Sequence, residues 1–258
     1  MKSQYTVIGN WKMNPATAKE AISLSQSISK IASRLKRVSV GIAPSFVHMA
    51  SVKAGAKLRL GAQDVFMEDL GAYTGEVSLP MLKNLKAQFV ILGHSERRAL
   101  GESDEFIARK VKATLKARLL PIVCIGESKH DSQGEYLSFL RNQIKNSLRY
   151  VTRADLGKII IAYEPIWAIG KRPEDAMKPQ SLHETVLYIQ KILSEIYGRE
   201  SGKKAPILYG GSVGGHNALS LLTLGKVQGF LVGGASLSKE TFEPILKAVE
   251  SATHEKSR

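Results

Sequence analysis

Short runs of apolar, mostly β-branched residues recur along the chain, and polar segments separate them. The runs are nearly continuous in apolar residues and lack the alternation of a half-exposed strand, which is typical of strands buried on both faces. We therefore predict eight buried strands: Tyr5–Ile8, Val38–Ile42, Leu58–Leu60, Phe89–Leu92, Ile122–Ile125, Ile159–Tyr163, Ile207–Tyr209 and Gly229–Val232.

Between these runs, apolar residues recur with the spacing of amphipathic helices. The longest stripe follows the spacing i, i+4, i+7, i+11, i+14 and consists of Leu182, Val186, Ile189, Leu193 and Ile196. Shorter stripes of the same kind lie within 24–35, 106–115 and 137–148. Each stripe provides one apolar face, so the pattern predicts helices that alternate with the buried strands.

The alternation of eight strands with helices predicts the fold class. No linker rich in Pro or Ser interrupts it, so we expect residues 1–258 to form one α/β domain with a parallel sheet. Eight parallel strands inside an outer ring of helices close a (β/α)8 barrel. A doubly wound open sheet remains an alternative, although no G-x-G-x-x-G follows the first strand. The polar tail, Ser251–Arg258, is expected to fray.

Composition excludes several classes of protein. A chain of 258 residues with 43% hydrophobic and 23% charged residues is neither collagen-like nor disordered. Cys124 is the only cysteine, which excludes a disulfide scaffold and favours a reducing compartment. No apolar run approaches membrane-spanning length and the N-terminus has no apolar leader, so we expect a cytoplasmic protein without membrane contact.

The charge balance is unusual. Lys and Arg number 37 against 23 Asp and Glu, a formal net charge of +14 that attracts anions such as nucleic acid, anionic lipid or phosphorylated metabolites. The basic residues are spread along the chain without a solid basic tract, which favours solvated outer helix faces. The chain also lacks the aromatic residues interleaved with basic ones that single-strand binders use, so a nucleic-acid partner is not expected.

Four polar side chains directly follow predicted strands. In a barrel these positions meet at one end, where reactive residues belong. Asn10 and Lys12 follow the first strand, His94 the fourth and Glu164 the sixth. Each alone has an ordinary explanation as a cap, an ion pair or a solvated side chain. Together they describe proton transfer beside a carbonyl, because a carboxylate takes the proton while an imidazole and an ammonium stabilise the oxygen.

Two glycine pairs follow the last two strands. Gly210-Gly211 precedes Ser212, and Gly233-Gly234 follows the eighth strand. Glycine turns let the backbone approach a ligand closely and expose N–H groups that bind anions. A single pair could simply form a tight turn, whereas two at these positions predict the phosphate site that such barrels often carry.

Eight segments resemble the signature segments of the triosephosphate isomerase family. They occur in the family's order between residues 9 and 237, and read GNWKMN, LGAQD, GAYTGE, ILGHSERR, CIGE, AYEPIWAIG, YGGSV and VGGASL. The resemblance implies interconversion of dihydroxyacetone phosphate and D-glyceraldehyde 3-phosphate through an enediol(ate), as in glycolysis and gluconeogenesis. It implies no cofactor and no metal.

The same resemblance implies roles for individual residues. Glu164 matches the general base, His94 the neutral electrophile and Lys12 the ammonium that stabilises the enediolate and pairs with Glu96. Asn10 matches a substrate contact. The phosphate cradle matches Gly170, Ser212, Gly233 and Gly234.

The segment Gly71–Glu76 resembles the family's dimer loop. The resemblance implies an isologous homodimer in which Thr74 supports the opposite active site and Glu76 pairs with the partner subunit's Arg97. Cys124 matches a cysteine near the active site, and we expect it to serve packing.

The lid that follows Glu164 departs from the family pattern. Lys171-Arg172-Pro173 stands where the family has a second glycine and small residues, and Pro173 restricts the backbone. We therefore expect a stiffer hinge, or one shifted toward Ala176–Met177.

Two other functions remain alternatives. One is another phosphate-binding barrel enzyme, and the other is a basic barrel recruited to bind an anion or a nucleic acid. The intact set of Lys12, His94 and Glu164 favours the isomerase over both.

Overall fold

The computed structural model describes residues 4–131, 133–170 and 176–255, without the side chains of 253–255. Its eight strands form a closed barrel in chain order, and every neighbouring pair is parallel. Named β1 to β8, they are Tyr5–Asn10, Val38–Ala43, Leu58–Ala62, Phe89–Leu92, Leu120–Ile125, Ile160–Tyr163, Ile207–Tyr209 and Gly229–Val232. Pairing of β1 with β8 closes the barrel, so the predicted barrel is confirmed and the open sheet is excluded.

The helices surround the barrel. Named α1 to α10 in the described residues, they are Ala18–Arg34, Phe46–Met49, Leu79–Asn84, Ser95–Ala99, Asp104–Lys116, Glu135–Ser147, Pro179–Tyr197, Arg199–Gly202, Ala218–Thr223 and Lys239–Glu255. Short 3-10 segments occupy Leu156–Lys158, Ile166–Ala168 and Gly234–Ser236. None of these helices combines the length and apolar character needed to cross a membrane.

The four predicted apolar stripes correspond to α1, α5, α6 and α7. Helix α10 continues to Glu255, so its last turn includes the polar residues that we expected to fray from Ser251 onward. Residues 256–258 lie outside the described part of the chain.

Local sequence defines where the principal helices begin. At α1, the Thr17 hydroxyl accepts a hydrogen bond from the Glu20 N–H, while the Glu20 carboxylate accepts one from the Thr17 N–H. At α5, the Ser103 hydroxyl accepts a hydrogen bond from the Phe106 N–H. Such caps satisfy N–H groups that the first turn leaves without intrahelical partners.

Two apolar layers make up the core. The larger lies between the sheet and the helices, and the smaller fills the barrel interior. Inside the barrel, the Phe89 ring occupies space that glycines on neighbouring strands leave free. A Cβ at Gly61 would lie 2.2 Å from Phe89 Cε2, and one at Gly41 would lie 2.8 Å from Cε1. Packing at this density leaves no channel here, so the functional side chains lie at the barrel's end.

Candidate active site

The carboxyl ends of the parallel strands surround a cavity of about 300 Å³. All eight residues that the sequence singled out line it: Asn10, Lys12, Gly170, His94, Glu164, Ser212, Gly233 and Gly234. They come from five strand ends and are as far as 224 positions apart along the chain, from Asn10 to Gly234. The barrel topology therefore brings the predicted residues together.

The backbone conformation of Lys12 positions its side chain at this cavity. Its φ of 53° is left-handed, a conformation that is uncommon for a residue with a side chain. The Asn10 side-chain oxygen accepts a hydrogen bond from the Lys12 N–H at 3.1 Å, and Gln63 donates one to the Lys12 carbonyl at 2.7 Å. Lys12 Nζ lies 2.5 Å from Glu96 Oε1, which confirms the predicted pairing.

His94 is oriented by the helix that begins after it. Its Nδ1 accepts a hydrogen bond from the Glu96 N–H at 3.2 Å, as the N-cap of α4. A ring nitrogen that accepts carries no proton, so the neutral imidazole presents its N–H at Nε2. Nε2 lies 3.2 Å from Glu164 Oε1, and His94 lines the cavity. The arrangement supplies a neutral hydrogen-bond donor at the cavity.

Glu164 is almost fully buried, with 2% of its surface exposed. Besides the contact with His94, its Oε2 accepts a hydrogen bond from the Ser95 N–H at 3.2 Å. Glycine makes room for this side chain, because a Cβ at Gly210 would lie 2.8 Å from Glu164 Cγ. The sequence showed Gly210 as part of a phosphate turn, whereas the structure shows that it also borders the carboxylate.

Glycine turns form another part of the cavity wall. Gly233 and Gly234 enter a 3-10 turn beside Lys12. Gly170 has a φ of 68°, and among the described residues none would lie within 4 Å of a Cβ at this position. The Ser212 hydroxyl donates a hydrogen bond to the Ala168 carbonyl at 3.0 Å. A wall of exposed backbone beside an ammonium suits an anionic group such as phosphate.

Glu127, which the sequence did not single out, anchors the segment leading to Gly170. Its Oε1 accepts hydrogen bonds from Tyr163 Oη at 2.9 Å and from Trp167 Nε1 at 2.8 Å. Its other oxygen is buried and has no hydrogen-bond partner among the residues that the structure describes. Its position directly after a buried strand, in CIGE, was the signal that could have identified it. The atypical lid residues Lys171-Arg172-Pro173 lie outside the described residues.

Cys124 lies inside the barrel, next to the site. Burial raises the pKa of its thiol, and the nearby Glu164 carboxylate raises it further. A protonated thiol is a poor nucleophile, so the environment agrees with the expected packing role. Within the described residues, no three His, Cys, Asp or Glu side chains are grouped to hold a metal ion.

A buried carboxylate, a neutral imidazole and an ammonium around a cavity of about 300 Å³ with glycine turns in its wall define an acid–base enzyme on a (β/α)8 barrel. Comparison with known proteins specifies the family. The family profile of triosephosphate isomerase matches residues 5–249.

Curated proteins named triosephosphate isomerase match over nearly their whole length. That of Dehalococcoides mccartyi is 41% identical over 249 residues, covering 95% of this chain and 96% of the relative. Those of Fusobacterium nucleatum and Protochlamydia amoebophila are 40% and 41% identical, covering 94% and 93% of this chain and 97% and 91% of the relatives. The chain belongs to the triosephosphate isomerase family, and the predicted isomerase activity is confirmed at this level.

Proposed function

We propose that the chain interconverts dihydroxyacetone phosphate and D-glyceraldehyde 3-phosphate, with Glu164, His94 and Lys12 as its catalytic residues. The observation that carries the proposal is the convergence of these three side chains on one cavity walled by Gly233 and Gly234. Both substrates have the same oxidation level, so a proton moved between adjacent carbons suffices.

Glu164 is the proposed base. Its carboxylate accepts a hydrogen bond from the Ser95 N–H. When substrate binds, the carboxylate gives up this contact and takes the carbon-bound proton of the substrate instead. His94 Nε2–H donates to the carbonyl oxygen on which negative charge develops, and Lys12 Nζ stabilises that charge. Asn10 binds the substrate beside Lys12. Its side-chain oxygen already accepts a hydrogen bond from the Lys12 N–H.

The phosphate is proposed to bind against Gly170, Ser212, Gly233 and Gly234. This places the charged end of the substrate on backbone N–H groups and leaves its carbonyl end near the acid–base residues. The segment after Trp167 serves as the lid. Closure excludes water and so protects the enediolate from losing its phosphate.

We further propose an isologous homodimer formed around the loop Gly71–Glu76, with Thr74 supporting the partner's site. Large apolar side chains are exposed in the segments that follow the first three strands: Met13 is 93% exposed, Val47 80% and Leu70, which directly precedes this loop, 83%. An exposed apolar patch of this kind typically marks a protein interface. Within one chain, Arg97 pairs with Asp64 and Glu102, and we propose that Glu76 meets the partner subunit's Arg97 as well.

We also propose that residues 1–258 form one domain and that the enzyme acts in the cytoplasm. The continuous barrel supports the first proposal. The single, buried cysteine supports the second, because such a protein has no disulfide to gain from an oxidising compartment.

A coupled assay of glyceraldehyde 3-phosphate isomerisation tests the catalytic assignment. Glu164→Asp shortens the base by one methylene, and we expect kcat to fall by about two to three orders of magnitude, roughly 3–4 kcal/mol of transition-state stabilisation. The control, Glu135→Asp, changes an exposed carboxylate at the start of α6 and should leave kcat unchanged. Absence of activity in the wild type, or equal effects of both substitutions, would refute the assignment.

A further inference from the structure

The positive charge of this protein is concentrated at one end of the barrel. The seven described connections that lead from a helix to the next strand comprise 35–37, 50–57, 85–88, 117–119, 148–159, 198–206 and 224–228. They contain 13 of the 37 Lys and Arg residues but only two of the 23 carboxylates, Asp155 and Glu200. Their balance of +11 accounts for most of the chain's net charge of +14.

The other end of the barrel carries the opposite balance. The described residues of the strand-to-helix connections, which surround the active-site cavity, contain nine carboxylates and five Lys or Arg residues. The chain therefore forms an electrically polar barrel. Its basic end, named here the basic face, lies opposite the active site and the loop Gly71–Glu76.

The basic face is exposed to solvent. Of the 13 cations in these connections, twelve are exposed and Arg37 is half-buried. Lys158 pairs with Asp155 at 2.8 Å, Arg149 pairs with Glu105 in the first turn of α5 at 3.8 Å, and Arg37 has an interaction partner as well. The α10 residue Glu250 also reaches this face and accepts hydrogen bonds from the N–H groups of 36 and 37. Asp155, Glu200 and Glu250 thus face an excess of cations, whereas Arg149 lies beside the first turn of α5, away from this end.

Two observations separate this surface from ordinary solvated lysines. Lys86, Arg118 and Lys226 occupy left-handed turns, with φ of 59°, 61° and 57°, where Gly or Asn is the favoured residue. The β3 residue Arg59 is half-buried at the same end, held by Gln88 at 3.1 Å and lying 5.7 Å from the Phe89 ring. No described carboxylate lies within ion-pair distance of it. The chain thus places three cations where backbone preference favours other residues, and a fourth, Arg59, where partial burial disfavours a charge.

We propose that the basic face binds a double-stranded nucleic acid through its phosphates, without reading bases. The cations are spread over a whole barrel end, so they fit an extended polyanion better than a small phosphate. Duplex DNA and RNA carry the densest such array of charge. The absence of interleaved aromatics, which disfavours single strands, does not count against a duplex held by its backbone.

A lipid surface or an acidic protein fits this face less well. Peripheral membrane binding and protein interfaces both gain much of their strength from buried apolar surface. The large apolar residues exposed in these connections are Tyr150 and Leu224, and the others are buried or partly buried. The partner is therefore recognised by charge, which favours the partner with the highest charge density.

Fluorescence anisotropy with a labelled 20-base-pair duplex, of DNA and of RNA, at 50 to 200 mM NaCl tests the proposal. The face variant combines Lys86→Asn, Arg118→Asn and Lys226→Asn, since Asn tolerates left-handed turns. The control combines Lys19→Gln, Lys191→Gln and Lys247→Gln, which remove the same charge from exposed positions on outer helices.

We expect the wild type to bind and the face variant to bind at least about tenfold more weakly at 100 mM salt. The slope of the logarithm of its binding constant against the logarithm of the salt concentration should be shallower by as much as about 2.7. Each of the three lost phosphate contacts removes about 0.9 from this slope. The control should bind within about threefold of wild type. Isomerase activity should be equal in all three proteins and should persist with bound duplex, because the cavity lies at the other end.

Three outcomes would overturn the proposal: no binding by the wild type at 50 mM salt, equal weakening in both variants, or binding only to vesicles containing phosphatidylserine. Equal weakening would mean that only the net charge matters. If the face variant loses isomerase activity and therefore its fold, the pair Lys203→Gln and Lys204→Gln replaces it, with the same expectation of weaker binding.

Discussion

Replacing Lys110 by Met should destabilise the protein strongly at neutral pH. Lys110 is buried on α5, and its Nζ lies 2.8 Å from both carboxylate oxygens of Asp64 and 2.6 Å from Glu102 Oε1. Arg97 is the other cation of this cluster, 3.1 Å from Asp64 and 2.6 Å from Glu102, and it is partly exposed. Met keeps most of the aliphatic stem, so the variant chiefly removes a charge. Two buried carboxylates then share one cation.

The cost can be bounded from this geometry. Removing one partner of a buried ion pair costs about 3–5 kcal/mol. The folded chain limits this cost by taking up a proton on one carboxyl. For a carboxyl with a reference pKa of about 3.9, that proton costs about 4 kcal/mol at pH 7 and about 1.5 kcal/mol at pH 5. Burial already raises the pKa of Asp64 against the pull of Lys110, so Asp64 is the group that we expect to take the proton.

The penalty should therefore depend on pH. A carboxyl whose pKa is higher in the folded chain than in the unfolded chain binds its proton on folding, so the variant loses stability as pH rises through that pKa. Urea unfolding at pH 5, 6 and 7, followed by circular dichroism at one fixed chain concentration, measures this dependence. We expect a loss of about 3–4 kcal/mol at pH 7 and about 1.5 kcal/mol at pH 5.

The matched control is Lys112→Met on the same helix. Lys112 is exposed, and its Nζ lies 5.1 Å from the centre of the Tyr150 ring, so its loss should cost less than about 1 kcal/mol at every pH. A Lys110→Met penalty below 1 kcal/mol, or one of equal size at pH 5 and pH 7, would refute the reasoning.

Four further predictions follow from other contacts. Gly61→Ala should lower the free energy of unfolding by roughly 1–3 kcal/mol, because the added methyl group overpacks against Phe89. In the double variant, Phe89→Leu should relieve part of this loss in urea unfolding, and additive losses would contradict this. Gly210→Ala should push against Glu164 and lower kcat by at least about tenfold with little change in KM, and steady-state kinetics that match wild type would count against it. Cys124 should react with a thiol reagent only after unfolding, since burial raises the pKa of its thiol; rapid labelling of the native enzyme would disprove it. Neutral salt should lower kcat/KM only to the extent of ordinary competition at the phosphate site, and a much steeper fall would indicate long-range steering.

The barrel could be predicted because its strands are buried on both faces. Six of the eight predicted strands begin at the observed first residue, and the other two, Ile122–Ile125 and Ile159–Tyr163, begin within two residues of it. The observed β1 and β2 extend beyond the predicted ends to Asn10 and Ala43. Hydrophobic runs mark such strands clearly, whereas a terminal polar or small residue in the ladder gives no apolar signal.

The short helices at the strand ends could not be predicted in this way. Helix α4, for example, has five residues and no buried side chain, so no apolar stripe exists to reveal it. Its first turn is nevertheless important, because the Glu96 N–H sets the orientation of His94. What made this segment recognisable was its residue types after a buried strand, rather than its helical pattern.

The convergence of the candidate site residues on one cavity could be predicted, but most of their contacts, apart from the Lys12–Glu96 pair, could not. Nothing in the sequence indicated that Gly210 borders Glu164, or that Glu127 holds both Tyr163 and Trp167. These contacts depend on side-chain positions at the ends of different strands. Burial of a charged residue directly after a strand is the physical reason to examine such positions, because a buried carboxylate needs partners.

The distribution of charge changes the interpretation of the basic composition. Read along the chain, the cations are dispersed, because each helix-to-strand connection contributes only one to three of them. Folding into a barrel brings these connections toward one end, and the described connections at the other end contain more carboxylates than Lys and Arg residues. The substrate is a phosphate, yet it must enter at the end whose connections are net negative. Attraction therefore has to come from groups inside the cavity, Lys12 and the glycine-turn N–H groups, at distances where screening by salt is weak. The high net charge therefore does not act at the active site, and we assign it to the basic face.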